Sequence, residues 1–330
     1  VAPRTCTREG EDNEILDSKR RHEARQVRQP AQIRLLPDRK RLHLSDGPID
    51  LIIEAFGDSD QIRAAYRAAT ERFVTILDEL CDELPVLRRP MTSESVLPAG
   101  VVARRMAEAI APYAQRCFIT PMAAVAGSVA EEILHTVISN AHPSRAYVNN
   151  GGDIAFHLTP SEQFVVGMIE RPDRPSLFGT ATLQSDHPAR GIATSGWRGR
   201  SFSLGIADAV TVLATTASKA DAAATVIANA VDLPQHSGIV REAACNLSPD
   251  TDLGEIPVTR NVPHLTAPQI QQALAAGAQV ATELLAANLI TCAALCLQGH
   301  VRVIPAPASD HRRAPHLAIT HPSSRSPLHA

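Results

Sequence analysis

Tyr147-Val148-Asn149-Asn150-Gly151-Gly152-Asp153-Ile154 carries an apolar strand into two amides, two glycines and a carboxylate, and then into a second strand. Glycine adopts φ > 0 without steric cost and lets a backbone approach a partner closely. Asn-Gly between apolar strands is also the commonest signal for a short β-hairpin. Turn and ligand-binding loop are both open at this point.

Working outward, residues 145–215 are rich in strands, expected at Arg145–Asn149, Ile154–Leu158, Phe164–Ile169, Gly179–Leu183, Arg190–Thr194 and Val210–Ala214. Three short strands are expected before them, at Gln32–Leu36, Arg41–Leu44 and Ile49–Phe56. Apolar residues near helical period predict helices over 59–84, 103–113 and 119–138, and later over 218–231, 267–275 and 278–294. Residues 234–259 read as irregular. Strands and helices come in blocks rather than in βαβα alternation, which favours an α+β fold of mixed sheets packed with helices in one large domain. Residues 1–30 and 302–330 are polar and rich in charge or in Pro, Ser and His, so both are expected to be disordered tails around a domain at 31–301.

The formal charge is −3, with 32 Lys and Arg against 35 Asp and Glu. A general nucleic-acid binder would be basic, so nucleic acid is not an expected partner. No apolar run reaches membrane-spanning length, and no signal-peptide core follows the first basic residues. None of the six cysteines lies in a CxxC pair. Cys292 and Cys296 read as core residues one helical turn apart, and the expected location is the cytoplasm. Aromatic residues make up 3% of the chain, so its core must be built from Ala, Val, Leu and Ile.

Three further segments put polar groups into apolar surroundings. Ile119–Ile138 begins TPMAAVAG, where Thr120 can cap, Pro121 fits a first turn, and no acid is present. Such a start suits either close helix packing or a phosphate. Gly191–Gly196 ends a strand in Thr194, Ser195 and Gly196, with Arg198 and Arg200 behind them, and Arg suits phosphate recognition. In Ser218–Thr225, Asp221 and Thr225 are four residues apart and share a helix face. A carboxylate and a hydroxyl there suit Mg²⁺; an acid favoured by the helix dipole, with a Thr bonded back to its own helix, is the alternative. Asp208 is an acid within an apolar run. Asp232, Asp250 and Asp252 are further acids in the irregular region, where they could face solvent. There is no nucleophile elbow around Ser195, no zinc spacing among the histidines, no Walker A loop and no GxGxxG.

DGPIDLIIEAFG, ITPMAAVAG, YVNNGGDIA, GIATSG, SLGIADAVTVLA and IANAVDLP follow one another across the core. In this order they resemble the ApbE-like superfamily, whose best-known members are FAD:protein FMN transferases, and more closely an uncharacterised ApbE-related branch. The resemblance implies a T-fold-type architecture. It implies a cofactor site at Asn150, Gly151, Gly152, Asp153, Thr194, Ser195 and Gly196, to which Arg198 adds a guanidinium. It implies Mg²⁺ held by Asp221 and Thr225, the catalytic pair, with FAD as the nucleotide. The implied activity is FMN transfer to a Thr or Ser hydroxyl of a protein acceptor, or hydrolysis of FAD. A non-catalytic flavin or nucleotide binder is the alternative, since Ala126-Gly127 stands where the transferases carry Lys-Gly. Small-residue faces at 123–130 and 222–230 permit close helix packing within the chain or in a homo-oligomer.

Overall fold

The computed structural model describes residues 30–92, 94–169, 177–305 and 316–319. Its frame is a nine-stranded sheet built from β1 (Gln32–Leu35), β2 (Leu42–Asp46), β3 (Ile49–Phe56), β4 (Arg145–Asn150), β5 (Asp153–Leu158), β8 (Gly191–Ser195), β9 (Ala209–Ala214), β12 (Cys292–Leu297) and β13 (His300–Ile304), in that spatial order. Every described pairing in it is antiparallel. A smaller sheet of β6 (Gln163–Ile169), β7 (Leu177–Gln184) and β14 (His316–Ile319) lies against one face.

The other face carries helices. α1 (Ser59–Leu87), α2 (Val101–Ile110) and α3 (Val125–Asn140) pack with β2–β4 around Leu44, Leu51, Phe73, Met106 and Ile133. α4 (Ala217–Ala230) and α6 (Ala267–Ala286) pack with β8, β9 and β12 around Val212, Ala223, Ile227 and Leu295. Strand alternation explains the layering. β3 is buried at every second residue, whereas β9 and β12 are buried throughout because both their faces are covered. The fold is therefore α+β, with mixed helices and antiparallel sheets, as the block pattern predicts.

Several expected boundaries move. The helix expected over 278–294 ends at Ala286, and Cys292 and Cys296 lie in the buried strand β12. An Ala- and Leu-rich run of this length fits a buried strand as well as a helix, so periodicity cannot separate them. Residues 234–259 are not wholly irregular: β10 (Val240–Ala243) pairs with β11 (Pro257–Asn261), with α5 (Ala244–Leu247) between them. The start of the third helix is a separate 3₁₀ turn, Pro121–Ala124. α1 runs past Pro85 to Leu87, because near a helix end a proline forfeits a single hydrogen bond and Arg88 N still reaches Leu84 O. β13 continues past residue 301 to Ile304, and β14 falls within 302–330; the remainder of that stretch and residues 1–29 lie outside the described residues.

Pro121–Asn140 is long and apolar enough to cross a membrane by length and composition alone, and half of it is buried within the protein. It packs on α1, α2, α4, β4 and β5, the position of a core helix.

Candidate functional site

The Asn150–Asp153 stretch forms the β4–β5 hairpin. Asn150 pairs with Asp153, and Gly151 and Gly152 form the two-residue loop with φ of +66° and +115°. Two left-handed positions in a row explain the glycine pair. Asn149 Oδ1 accepts from Gly152 N at 2.8 Å and locks the loop from within. Asn150 points the other way: it is buried, and its amide donates to Ala126 O at 3.1 Å, which ties the hairpin to the start of α3. No atom lies within 4 Å of where a Gly152 Cβ would stand, so that face of the loop is open.

Asp153 Oδ1 accepts from Thr194 N at 3.1 Å, which joins the hairpin to the end of β8. Thr194 is held in turn by its hydroxyl, 2.9 Å from that of Thr211 on β9. Ser195 follows, half-buried. Gly196 is packed so closely that a Cβ would stand 2.6 Å from Asp208 O, so no other residue fits without moving the backbone.

Asp221 enters from α4. Its Oδ2 accepts from Gly127 N, in the first turn of α3, at 2.9 Å. Gly127 is where the two helices touch, since a Cβ there would lie 2.3 Å from Ala217 O. Asp221 and Asp153 interact electrostatically across this junction. Both keep some solvent contact yet are surrounded by protein on most sides. Burial pushes the Asp153 carboxyl up to about 7, against the opposing pull of the Thr194 amide and the Arg200 guanidinium. Burial, and then the neighbouring Asp153, push Asp221 well above the usual carboxylate range, while the Gly127 and Ala126 amides oppose the rise. A second carboxylate that raises the affinity of Asp221 for a proton makes a place that would also attract a cation.

Thr225 lies one turn beyond Asp221 on α4, half-buried, and its hydroxyl makes no hydrogen bond among the described residues. The back-bonded Thr considered from spacing is therefore not the arrangement found. Among the described residues no group of three or more His, Cys, Asp or Glu side chains is placed to hold a metal ion. The donor set is oxygen alone: two carboxylates and a hydroxyl. It fits Mg²⁺, a hard cation that commonly takes one or two carboxylates and completes its shell with water or substrate phosphate.

The two arginines of the loop after β8 separate. Arg198 donates through Nε to buried Asp208 at 2.6 Å and lies over the Trp197 ring. Asp208 also accepts from Trp197 Nε1 and from Gln298 N, so this acid pins the loop to the β12–β13 turn. Arg200 instead covers Gly151, its guanidinium filling the space a Gly151 Cβ would need. Of the two, Arg200 faces the acid pair.

Other expectations shift at the helix starts. Thr120 makes no capping bond; its hydroxyl donates to Asp252 of the 244–256 segment, so Asp252 is half-buried rather than free in solvent. α4 begins at Ala217, one residue before the expected start, and is capped by Thr216. Ser218 N and Oγ donate to Glu131 of α3 at 3.2 and 2.8 Å. Glu131, Glu132 and Arg105 went unnoticed in the sequence because Glu-Glu on a helix normally marks a solvated face.

Comparison with known proteins gives the family of the chain. The family described as AbpE bacteria matches residues 33–303. A UPF0280 protein of Methanopyrus kandleri is 40% identical over 131 residues, 40% of this chain and 49% of that protein. One of Methanococcus vannielii is 37% identical over 142 residues, 42% of this chain and 56% of the other. The chain thus spans about half the length of these curated relatives. The flavin transferase ApbE from Vibrio cholerae aligns with 84% of this chain and 98% of its own, at 13% identity and a TM-score of 0.36. The ApbE protein from Thermotoga maritima aligns with 78% of each chain, at 13% identity and a TM-score of 0.35. The match over residues 33–303 takes in the hairpin, Thr194, Arg200 and Asp221, and the chain belongs to the AbpE bacteria family.

Proposed function

We propose that this protein acts on the pyrophosphate of FAD with Mg²⁺, either transferring FMN to a Thr or Ser hydroxyl or hydrolysing FAD. The observation that carries this is the meeting of Asp153 and Asp221 beside the open hairpin loop at Gly152. Asp221, Thr225 and Asp153 would hold Mg²⁺. When bound, Mg²⁺ polarises a phosphoryl group and neutralises charge on the leaving AMP.

The chain's own residues do the rest. Asn149 and Asn150 fix the glycine loop, so a phosphate can approach its backbone closely. Arg200 supplies a guanidinium next to that loop, and guanidinium suits phosphate oxygens. Thr194 N occupies one oxygen of Asp153, leaving the other to face the cation, and the proton of the attacking hydroxyl passes to solvent water. In the transfer, the hydroxyl oxygen bonds to the FMN phosphorus as the bond to the bridging oxygen breaks. AMP departs with that oxygen and its electron pair. No disulfide joins the five cysteines among the described residues, in keeping with the cytoplasmic location proposed for the chain.

A second reading has one observation behind it. Ala126 stands where the resemblance calls for a lysine, and its carbonyl is already engaged by Asn150. The scaffold would then bind a flavin or another nucleotide without splitting it.

Titration with FAD, with and without Mg²⁺, following flavin fluorescence and AMP release, separates the two. Mg²⁺-dependent AMP release that is lost in Asp221→Ala supports the enzyme. Tight binding without release supports the binder. No binding removes flavin from both.

A further inference from the structure

Glu131 lies four residues after Gly127 on α3, and Ser218 lies three before Asp221 on α4, so each pair shares a helix face. The faces meet twice. Asp221 of α4 accepts from the Gly127 amide at the start of α3. Glu131 of α3 accepts from the Ser218 amide and hydroxyl at the start of α4. Each helix therefore caps the other.

Glu131 is itself anchored. Arg105 of α2 reaches its Oε1 at 3.1 Å and Glu132 at 2.9 Å. Glu132, buried, also takes Arg72 of α1 at 2.7 Å, and Arg72 binds Glu79 on its own helix. An ion-paired chain thus runs from α1 through α2 and α3 into the first turn of α4. It ends one helical turn from Asp221.

We infer that Glu131 is a positioning residue for Asp221, fixing the first turn of α4 so that the carboxylate meets the Gly127 amide and faces Asp153. The inference rests on the proposed role of Asp221 as a cation ligand. Thr216 caps α4 from its own segment, whereas Glu131 ties the first turn of α4 to α3 and so holds Asp221 towards the Gly127 amide. Groups that orient a ligating carboxylate matter to the metal nearly as much as the ligand does. Removing Glu131 leaves Arg105 paired with Glu132, so the rest of the chain of charges survives the change.

The test uses the full chain as wild type, Glu131→Ala and Glu131→Gln. One readout is hydrogen exchange at the Gly127 amide in metal-free buffer, with Ile133 in mid-α3 as reference. The other is Mn²⁺ affinity, from the electron spin resonance signal of free Mn²⁺. E131A is expected to speed Gly127 exchange relative to Ile133 and to weaken Mn²⁺ binding about tenfold. E131Q, whose amide oxygen can still accept from Ser218, is expected to retain most of both. Gly127 exchange that is unchanged in E131A, or that changes only in step with Ile133, overturns the inference, because Glu131 would then serve general stability alone. A wild type that binds no Mn²⁺, with Gly127 exchange still faster in E131A, overturns the cation role of Asp221 and leaves Glu131 as its positioning residue. If E131A does not fold, E131Q combined with Ser218→Ala carries the same comparison.

Discussion

The Gly127 amide donates to Asp221 Oδ2 at 2.9 Å, so a carboxylate from α4 caps the first turn of α3. The contact demands a residue without a side chain. A Cβ on Gly127 would stand 2.3 Å from Ala217 O and 3.0 Å from Asp221 Cβ. Backbone cannot yield as a flexible side chain can, so the helices must part. Gly127→Ala is expected to cost about 1–3 kcal/mol, the usual range for overpacking. Urea unfolding should show a lower midpoint at unchanged slope; an unshifted midpoint would mean that the helices do not touch there.

Asp153 and Asp221 give stability a definite pH dependence. The folded carboxyl of Asp153 titrates at about 7 against 3.8 in the unfolded chain, and that of Asp221 is also raised. Asp153 therefore makes the folded chain hold more protons than the unfolded one between about pH 4 and pH 7, and Asp221 acts in the same direction. The contribution of Asp153 to stability is lost as pH rises through that window. Asp221→Asn relieves the repulsion and keeps an oxygen for Gly127. In metal-free buffer near pH 8 its Tm is expected to rise by about 2–4 °C, the shift that ~1 kcal/mol gives in a domain of this size. Mg²⁺ should stabilise wild type more than the variant at that pH. Differential scanning calorimetry across the window checks both; a variant no more stable than wild type would remove the charge conflict.

The hairpin at Asn150–Asp153 was legible because its two glycines serve a geometry that few other residues can adopt. Asp221 was legible as a helical acid, but its meeting with Asp153 depends on sheet order, which local sequence does not state. The role of Glu131 depends on the approach of α3 to α4, and nothing in Glu131-Glu132 distinguishes it from a surface pair. β12 was misread because Ala, Leu and Cys in an unbroken apolar run carry no period.

Asp208 is a structural acid with three donors in a buried place: Trp197 Nε1, Arg198 Nε and Gln298 N. Asp208→Ala strands a guanidinium and a backbone amide together. A loss of about 3–5 kcal/mol is expected, as for a buried ion pair broken on one side. Chemical denaturation measures it, and a loss below ~1 kcal/mol would show that the loop after β8 is held by other contacts.

Arg198 and Arg200 are two residues apart and should behave oppositely. Arg198 is committed to Asp208 and to the Trp197 ring, so Arg198→Ala is expected to lower Tm and to affect anion binding only through the loop. Arg200 is exposed, lies over Gly151 and opposes the rise of the Asp153 carboxyl. Its removal leaves the core intact but takes a positive charge from the mouth of the acid pair. Arg200→Ala is therefore expected to keep the wild-type Tm and to weaken pyrophosphate binding in the presence of Mg²⁺ about tenfold, the effect of one charge-assisted hydrogen bond. Calorimetric titration with pyrophosphate, beside melting curves of both variants, tests the pair. Weaker binding in Arg198→Ala at unchanged Tm, with none in Arg200→Ala, would move the anion contact to the Asp208 side of the loop.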